Sequence, residues 1–282
     1  MSVRQEVEIH PTSMISSDAV IGPGVRIGPY AVIGGRVEIG EGTEIGPHAV
    51  IEGPTSIGKH NRIIGQAAIG TIPQDLKYRG EESFLSIGDG NTIREFVTIN
   101  RGTEGGGGKT TIGDQNLLMT GVHVAHDCHV GTGAILANSA TLAGHVEIAD
   151  YSTVGAFSGV HQFCRVGTHA FVGGYSVMTR DALPFVKTVG YRSQAAIYGI
   201  NSMGLKRRNF SPADINTLKK AYRWLFQKGL KISEAVEKIK EEALESNEVR
   251  ILIRFMETAE RGFVRDTGES GGEDSEVGSN RG

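Results

Sequence analysis

The sequence predicts a mainly β fold, in which the chain winds as a parallel β-helix with three flat sides and ends in a C-terminal α-helical domain. Three observations lead to this prediction. Aliphatic residues recur every six positions over most of the chain, and glycine is abundant, at 40 of 282 residues. After about residue 210 the period of six gives way to the 3.6-residue spacing of amphipathic helices.

The period of six is strict near the N-terminus. A short strand and a turn every six residues bring the chain back to the same side after eighteen, so successive coils stack as parallel strands about 4.8 Å apart. Glycines that follow the aliphatic residue, together with Pro23, Pro29 and Pro47, are expected to supply the corners, where φ must be positive or fixed. The first run comprises Ile15, Ile21, Ile27, Ile33, Ile39, Ile45, Ile51, Ile57, Ile63 and Ile69.

Two insertions interrupt the repeat, which we predict to occupy residues 1–200. The first lies near residues 73–84, where the step from Ile69 to Ile87 stays in register although no repeat is visible between them. The second lies near residues 100–111, where the step from Ile99 to Ile112 is thirteen rather than twelve. Loops that break a regular solenoid commonly lie on its functional surface.

Residues 201–264 are predicted to form the helical domain. Ser211–Asp214 has the form of a capping box with proline at the first helical position. Ser233 is expected to cap a second helix, and a third should begin near Asn247. Residues 265–282 are predicted to be a disordered acidic tail. The apolar stripe of the first helix contains Ile215, Leu218, Tyr222 and Leu225.

Charge and composition exclude several classes of protein. The net charge of the chain is -3, and the tail after Arg265 carries about -4. The rest of the chain therefore has a net charge of about +1, which is too close to neutral for general nucleic-acid binding. There is no apolar run of ~18 residues and no basic-then-apolar leader, which predicts a cytoplasmic protein without integral membrane association. Two cysteines cannot form a disulfide framework, so Cys128 and Cys164 are predicted to be buried thiols.

Six of the nine histidines lie between residues 123 and 169. Val124, Leu142 and Val160 are eighteen apart, so the residues that follow them belong to one edge of three consecutive coils. We therefore expect three imidazoles beside that edge, and the residues are His126, His145 and His161.

The histidine cluster suits acid–base chemistry better than a metal site. Zinc needs neutral imidazoles at fixed distances. The zinc-dependent β-helix carbonic anhydrases carry a His-x4-His pair that this sequence lacks, so we predict no metal, and keep such an anhydrase as an alternative. A histidine without metal can remove a proton from a hydroxyl, and Asp127 could set the tautomer of His126.

Several motifs together carry a specific resemblance. The period of six resembles the hexapeptide repeats of left-handed parallel β-helix proteins, and this resemblance implies the handedness. From about residue 9 to 263 the chain also resembles the UDP-N-acetylglucosamine O-acyltransferases, which carry out the first step of lipid A biosynthesis. The motifs are His123–Cys128, Leu142–His145, His161–Cys164, Pro73–Tyr78 and Gly204–Arg208.

This resemblance implies a reaction, partners and roles. A 3-hydroxyacyl group would pass from acyl carrier protein to the 3-hydroxyl of UDP-N-acetylglucosamine, in a homotrimer with sites between neighbouring prisms and with no cofactor. His126 would be the general base assisted by Asp127, and the Gly144 N–H would bind the oxyanion. Gly174 matches the acyl-length ruler, and a glycine there implies a long donor of the hydroxymyristoyl class. The residues implied to bind substrate are Asp75, Lys77, His123, His145, His161, Gln162, Asn201, Arg207 and Arg208.

Some positions depart from the family pattern. Met203 stands where the best-known members have an acid, and Asn100 where they have histidine. Acylation of a UDP 3-amino sugar therefore stays an alternative, as does a non-catalytic scaffold. Because acyl carrier protein is acidic, its docking surface should be basic. The candidates are Arg165, Lys206, Arg207, Lys219, Lys220 and Arg223.

Overall fold

A computed structural model describes residues 6–242, 244 and 246–266. The chain forms the predicted left-handed parallel β-helix, followed by helices. Its three faces are named A, B and C in the order in which the chain visits them, and the edges between them AB, BC and CA. Most of the predicted acidic tail, residues 267–282, lies outside the described residues.

Each face is a sheet of short strands that pair in parallel with the coils before and after them. Face A contains Glu8–Ile9, Arg26–Ile27, Glu44–Ile45, Arg62–Ile63, Thr92–Ile93, Leu117–Leu118, Ile135–Leu136, Thr153–Val154, Phe171–Val172, Val186–Val189 and Ala196–Ile200, of which the last two pair antiparallel. Face B contains Met14–Ile15, Val32–Ile33, Val50–Ile51, Ala68–Thr71, Thr98–Asn100, His123–Val124, Thr141–Leu142, Gly159–Val160 and Val177–Met178. Face C contains Val20–Ile21, Val37–Ile39, Thr55–Ile57, Phe84–Ile87, Lys109–Ile112, His129–Val130, Glu147–Ile148 and Arg165–Val166.

The recurring aliphatic residue fills the interior of the prism. Val124 pairs with Leu142 and Leu142 with Val160, the eighteen-residue register expected from the sequence, and all three are buried. Burying a side chain of this size stabilises the fold by roughly 1.5–3 kcal/mol. A second buried column, which the sequence did not predict, lies two residues earlier in each coil and holds small side chains such as Ala31 and Ala49.

The corners differ from the prediction. Positive φ falls three residues before the inward aliphatic residue, and most residues there are not glycine: His48 has φ = 57°, and its N–H bonds to Pro29 O of the preceding coil. The glycine after the aliphatic residue is needed for close approach instead, since a Cβ on Gly46 would overlap the carbonyl oxygen of Ile64. The prediction that glycines supply the positive-φ corners was therefore wrong for most coils.

Both insertions lie on edge BC, in consecutive coils, as residues 72–83 and 101–108. The second is shorter than predicted, because Lys109–Ile112 is a strand that pairs with Phe84–Ile87. It contains a 3-10 turn at Glu104–Gly106.

The C-terminal part contains α1 (Ser202–Arg207), α2 (Pro212–Phe226), α3 (Ile232–Glu241) and α4 (Asn247–Glu257). Helix α2 begins with the capping box expected at Ser211, whereas α1 was not predicted. Ser233 does not cap α3: the N-cap lies two residues earlier, at Lys231, whose N–H donates to the Glu234 carboxylate. None of the described helices has the length and apolarity needed to span a membrane. The division into domains near residue 200 stays a prediction.

Candidate active site

Edge BC gathers most of the residues singled out in the sequence. The two insertions occupy this edge in two successive coils, and the next three coils place residues 125–128, 143–146 and 161–164 there. Because the coils stack in register, the insertions of the first two of these coils lie on the same edge as the histidines of the next three.

His126 and Asp127 form a hydrogen-bonded pair at this edge. His126 Nδ1 lies 2.8 Å from Asp127 Oδ2, and the Asp127 side chain is almost completely buried. An ionised carboxylate only accepts hydrogen bonds, so Nδ1 carries the hydrogen and Nε2 keeps a free lone pair. This is the tautomer that a general base needs.

The second insertion also donates hydrogen bonds to the Asp127 carboxylate. Thr103 N donates to Oδ1 at 2.8 Å, and Thr103 Oγ1 donates to Oδ2 at 2.6 Å. Asp127 N donates to Thr110 Oγ1 at 2.8 Å, which supports the residue in its left-handed conformation, φ = 57°. Sequence reasoning missed Thr103, because only the position of the loop, and no motif, pointed to it.

His145 lies on the same edge, one coil after the His126–Asp127 pair. Its ring meets that of His126 edge-on at 5.2 Å, and its Nε2 is 3.8 Å from Asp127 Oδ2. Burial lowers the pKa of His145, and the charges of Asp127 and of Asp75 on the first insertion oppose this only in part. His145 is therefore expected to be neutral near pH 7.

Gly144 is packed directly against His126. A Cβ at this position would lie 2.6 Å from His126 Cε1, so a larger residue would displace the imidazole. Among the described residues the Gly144 N–H donates to no acceptor. Gly144 is two residues after the inward residue Leu142. Pro29 and Pro47 occupy the equivalent position in other coils, which is possible because the hydrogen bonds between coils do not use the N–H at this position.

The other predicted substrate-binding residues of this region lie on face B, on the first insertion and on edge BC. His123 Nδ1 is 2.7 Å from Thr98 Oγ1 on face B, and burial lowers the pKa of His123. His161 is exposed, and its Nδ1 is 3.4 Å from the Arg261 guanidinium. The ring stacked on His145 is that of Phe163, at 4.5 Å. Gln162 is exposed in the same turn, and Lys77 lies on the first insertion, where its N–H donates to Asp75 Oδ1.

Four predicted residues lie on other edges of the chain. Arg208 is at edge CA, where its Nη2 donates to Gly133 O and its guanidinium lies 4.6 Å over the Tyr151 ring. Asn201 caps α1 and donates to the carbonyl of His169 at the same edge. Arg207 is exposed at the end of α1, and Gly174 is exposed at edge AB. A single chain therefore does not bring these four residues together with His126.

One group among the described residues has the donor set of a metal site. His126, Asp127 and His145 offer ligand atoms that lie within 4.8 Å of one another. Both oxygens of the Asp127 carboxylate already accept hydrogen bonds from Thr103 and His126. The two thiols are buried as predicted, and burial raises the pKa of Cys128 to about 12 and that of Cys164 to about 11.

Comparison with known proteins identifies the family. Residues 181–264 match a family model described as Udp N-acetylglucosamine O-acyltransferase, Domain 2, and residues 2–35 and 109–144 match one described as Bacterial transferase hexapeptide (six repeats). The chain is 52% identical over 257 residues to the acyl-[acyl-carrier-protein]--UDP-N-acetylglucosamine O-acyltransferase of Xylella fastidiosa, covering 91% of this chain and 97% of the relative. The protein of that name from Thiobacillus denitrificans is 50% identical, with 91% and 99% covered. The crystal structure of a UDP-N-acetylglucosamine acyltransferase from Bacteroides fragilis superposes with a TM-score of 0.87 at 43% identity, with 91% and 99% covered. At these identities and over this share of its length, the chain belongs to the UDP-N-acetylglucosamine O-acyltransferase family.

Proposed function

We propose that the protein transfers a long 3-hydroxyacyl group from acyl carrier protein to the 3-hydroxyl of UDP-N-acetylglucosamine, the first step of lipid A biosynthesis, in the cytoplasm and without a cofactor. Family membership supports the substrate class. The observation that carries the chemistry is the pair of the buried Asp127 and His126, in which Nδ1 bonds to the carboxylate and the imidazole packs against Gly144.

In the proposed mechanism each of these groups has a step. His126 Nε2 takes the proton of the sugar hydroxyl as its oxygen attacks the thioester carbonyl, and Asp127 stabilises the imidazolium. The Gly144 N–H donates to the oxyanion of the tetrahedral intermediate. When the C–S bond breaks, His126 returns the proton to the departing thiolate. Proton transfer of this kind typically contributes 10²–10⁴-fold, and one oxyanion donor about 10²–10³-fold.

The decisive assay measures transfer from 3-hydroxyacyl carrier protein to UDP-N-acetylglucosamine, beside the corresponding 3-amino sugar nucleotide. His126→Ala should reduce kcat by about 10²–10⁴-fold. His60→Ala, an exposed histidine on edge CA, is the matched control and should retain activity. Faster acylation of the 3-amino sugar nucleotide would favour that substrate instead. Loss of activity together with a stoichiometric metal on chelation would favour the zinc-dependent alternative.

The remaining substrate contacts are proposed to come from two copies of the chain in a homotrimer. His126 and Arg208 lie on different edges of one prism, so a site that uses both requires a neighbour. On edge BC and on the face-B strand that leads into it, the proposed ligands are Asp75, Lys77, His123, His145, His161 and Gln162. Those proposed to reach the nucleotide from edge CA of the neighbour are Asn201, Arg207 and Arg208.

Mixed trimers test this arrangement. In an equimolar mixture of His126→Ala and Arg208→Ala chains, each inactive alone, about a quarter of the cyclic interfaces would join an intact His126 to an intact Arg208. Partial recovery of activity after co-refolding is therefore expected. No recovery, in trimers shown to be mixed, would place the whole site on one chain.

The acyl groove is proposed to reach Gly174 at edge AB. A Cβ there would lie 3.3 Å from Ala156 O, so a side chain would have to extend outward, into the space proposed for the far end of the acyl chain. Gly174→Met should therefore shift the preferred donor to a shorter chain, measured with carriers of graded length. An unchanged preference would remove the ruler assignment.

The docking surface for acyl carrier protein is proposed to lie on α2. Lys219 and Arg223 line an open cleft of about 380 Å³ with Lys187, and none of its described lining residues is acidic. Arg165, one of the sequence candidates, is instead committed to the buried Asp181 carboxylate at 2.9 Å. A Lys219→Glu, Lys220→Glu double variant should raise the KM for the carrier-bound donor, and an unchanged KM would remove the surface. The other candidates are Lys206 and Arg207.

A further inference from the structure

Thr103 supplies two of the three hydrogen bonds that the Asp127 carboxylate accepts. Its N–H bonds to Oδ1 at 2.8 Å and its hydroxyl to Oδ2 at 2.6 Å, and the third donor is His126 Nδ1. Thr103 is 6% exposed and Asp127 is 2% exposed, so water does not replace these bonds freely. Hydrogen bonds to a buried charged group are among the stronger ones in proteins.

The hydrogen bonds from Thr103 determine which imidazole the Asp127 carboxylate binds. Oδ2 lies 2.8 Å from His126 Nδ1 but also only 3.8 Å from His145 Nε2. A carboxylate free to turn about its side-chain torsion could move this oxygen toward His145. Two donors on one rigid segment, one to each oxygen, fix the plane of the carboxylate with Oδ2 toward His126.

The segment that carries Thr103 is itself well fixed. The N–H groups of Gly106 and Gly108 both donate to Thr103 O, at 3.0 and 2.7 Å. Gly106 packs so closely on Asp127 that a Cβ there would overlap the carboxyl carbon. The second insertion thus forms a tight turn packed against the Asp127 carboxylate.

We propose that Thr103 is a positioning residue for acyl transfer, which acts through Asp127 to keep His126 in the Nδ1-protonated tautomer. This inference rests on the proposed function, and gives the second insertion a role that is separate from substrate binding.

The test compares three variants of the full-length protein. Thr103→Val removes the hydroxyl at nearly constant volume, and Thr103→Ser keeps it. Thr43→Val is the matched control, because Thr43 is a fully buried threonine whose hydroxyl donates to Gly58 O at edge CA. Thr103→Val should lower kcat by about tenfold to a hundredfold, the equivalent of one hydrogen bond to a charged group, with KM values changed by no more than about twofold. Thr103→Ser should restore kcat, and Thr43→Val should leave it unchanged.

A measurement that does not depend on activity tests the positioning role of Thr103 separately from the proposed acyl-transfer function. The Nδ1 proton of His126, assigned by nitrogen-15 NMR, should be observed in the wild type and in Thr103→Ser, and should shift or broaden in Thr103→Val. An unchanged resonance and unchanged kcat in Thr103→Val would overturn the positioning role, as would parallel losses in Thr103→Val and Thr43→Val. Because the spectrum needs no substrate, failure of the wild-type transfer assay counts against the proposed function alone.

Discussion

Replacing Gly144 with alanine is a sharp test of the geometry around His126. The φ angle of Gly144 lies outside the left-handed region, so an alanine can adopt the backbone conformation without strain. The added Cβ would, however, lie 2.6 Å from His126 Cε1 and 2.8 Å from Nε2. Gly144→Ala therefore acts on the imidazole rather than on the fold.

The magnitude follows from that contact. Ordinary van der Waals contact begins near 3.4 Å, so the imidazole must retreat by about 0.8 Å. A shift of that size along the bond between Nδ1 and Asp127 Oδ2, now 2.8 Å, would exceed the usual limit of about 3.2 Å. A misplacement of about 1 Å can cost about a hundredfold in rate. We expect kcat to fall by about that factor.

The assay is steady-state acyl transfer together with thermal unfolding. An off-rotamer imidazole costs of order 0.5–1.5 kcal/mol, so Tm should fall by no more than roughly 4 °C. Gly105→Ala is the control, because nothing lies within 4 Å of a Cβ at that exposed position. If Gly144→Ala kept kcat within about threefold of the wild type while folded, the imidazole could yield without loss and the general-base geometry would be wrong.

Three further predictions concern the support of the site and the stability of the fold. Gly106→Ala should lower kcat more than Gly105→Ala, because only the former overlaps Asp127; equal rates would contradict this. Arg165→Met should lower the free energy of unfolding by about 3 kcal/mol in urea, since it leaves the buried Asp181 carboxylate unpaired; a change below about 1 kcal/mol would show that the pair is dispensable. Burial lowers the pKa of three histidines in the folded state, so the unfolded state binds more protons, and the free energy of unfolding should rise between about pH 5 and 7. A higher urea midpoint at pH 5.5 than at pH 7 would refute this. These histidines are His123, His145 and His169.

The features predicted from sequence are those that depend on local repetition. One inward residue per coil must be aliphatic, which makes the period of six visible and places Val124 below Leu142. Both insertions were located because they break this period. Helix α2 was located because its capping box and apolar stripe are local signals.

The features that sequence reasoning missed depend on contacts between coils. A corner such as His48 can hold a positive φ because its N–H bonds to the preceding coil and its ring stacks on Tyr30, 5.1 Å away, and neither contact is visible in the repeat itself. Thr103 belongs to a loop without periodicity, so its register against Asp127 could not be calculated. Arg208 follows the end of the repeat, and only the structure places it at edge CA, away from His126.

The N–H that we assign to the oxyanion is at a position that the backbone hydrogen bonds between regular coils do not use. On edge CA, a side chain of the next coil usually takes it: Asp89 Oδ1 accepts from Lys59 N, and Asp114 Oδ1 from Asp89 N, each at 2.7 Å. At Gly144 no side chain among the described residues fills that place, and the base lies against the same glycine. Catalysis on this scaffold then requires little new architecture: the acceptor ladder of edge CA has no counterpart at Gly144 on edge BC, and the free N–H belongs to the glycine that packs against an imidazole held by a buried carboxylate.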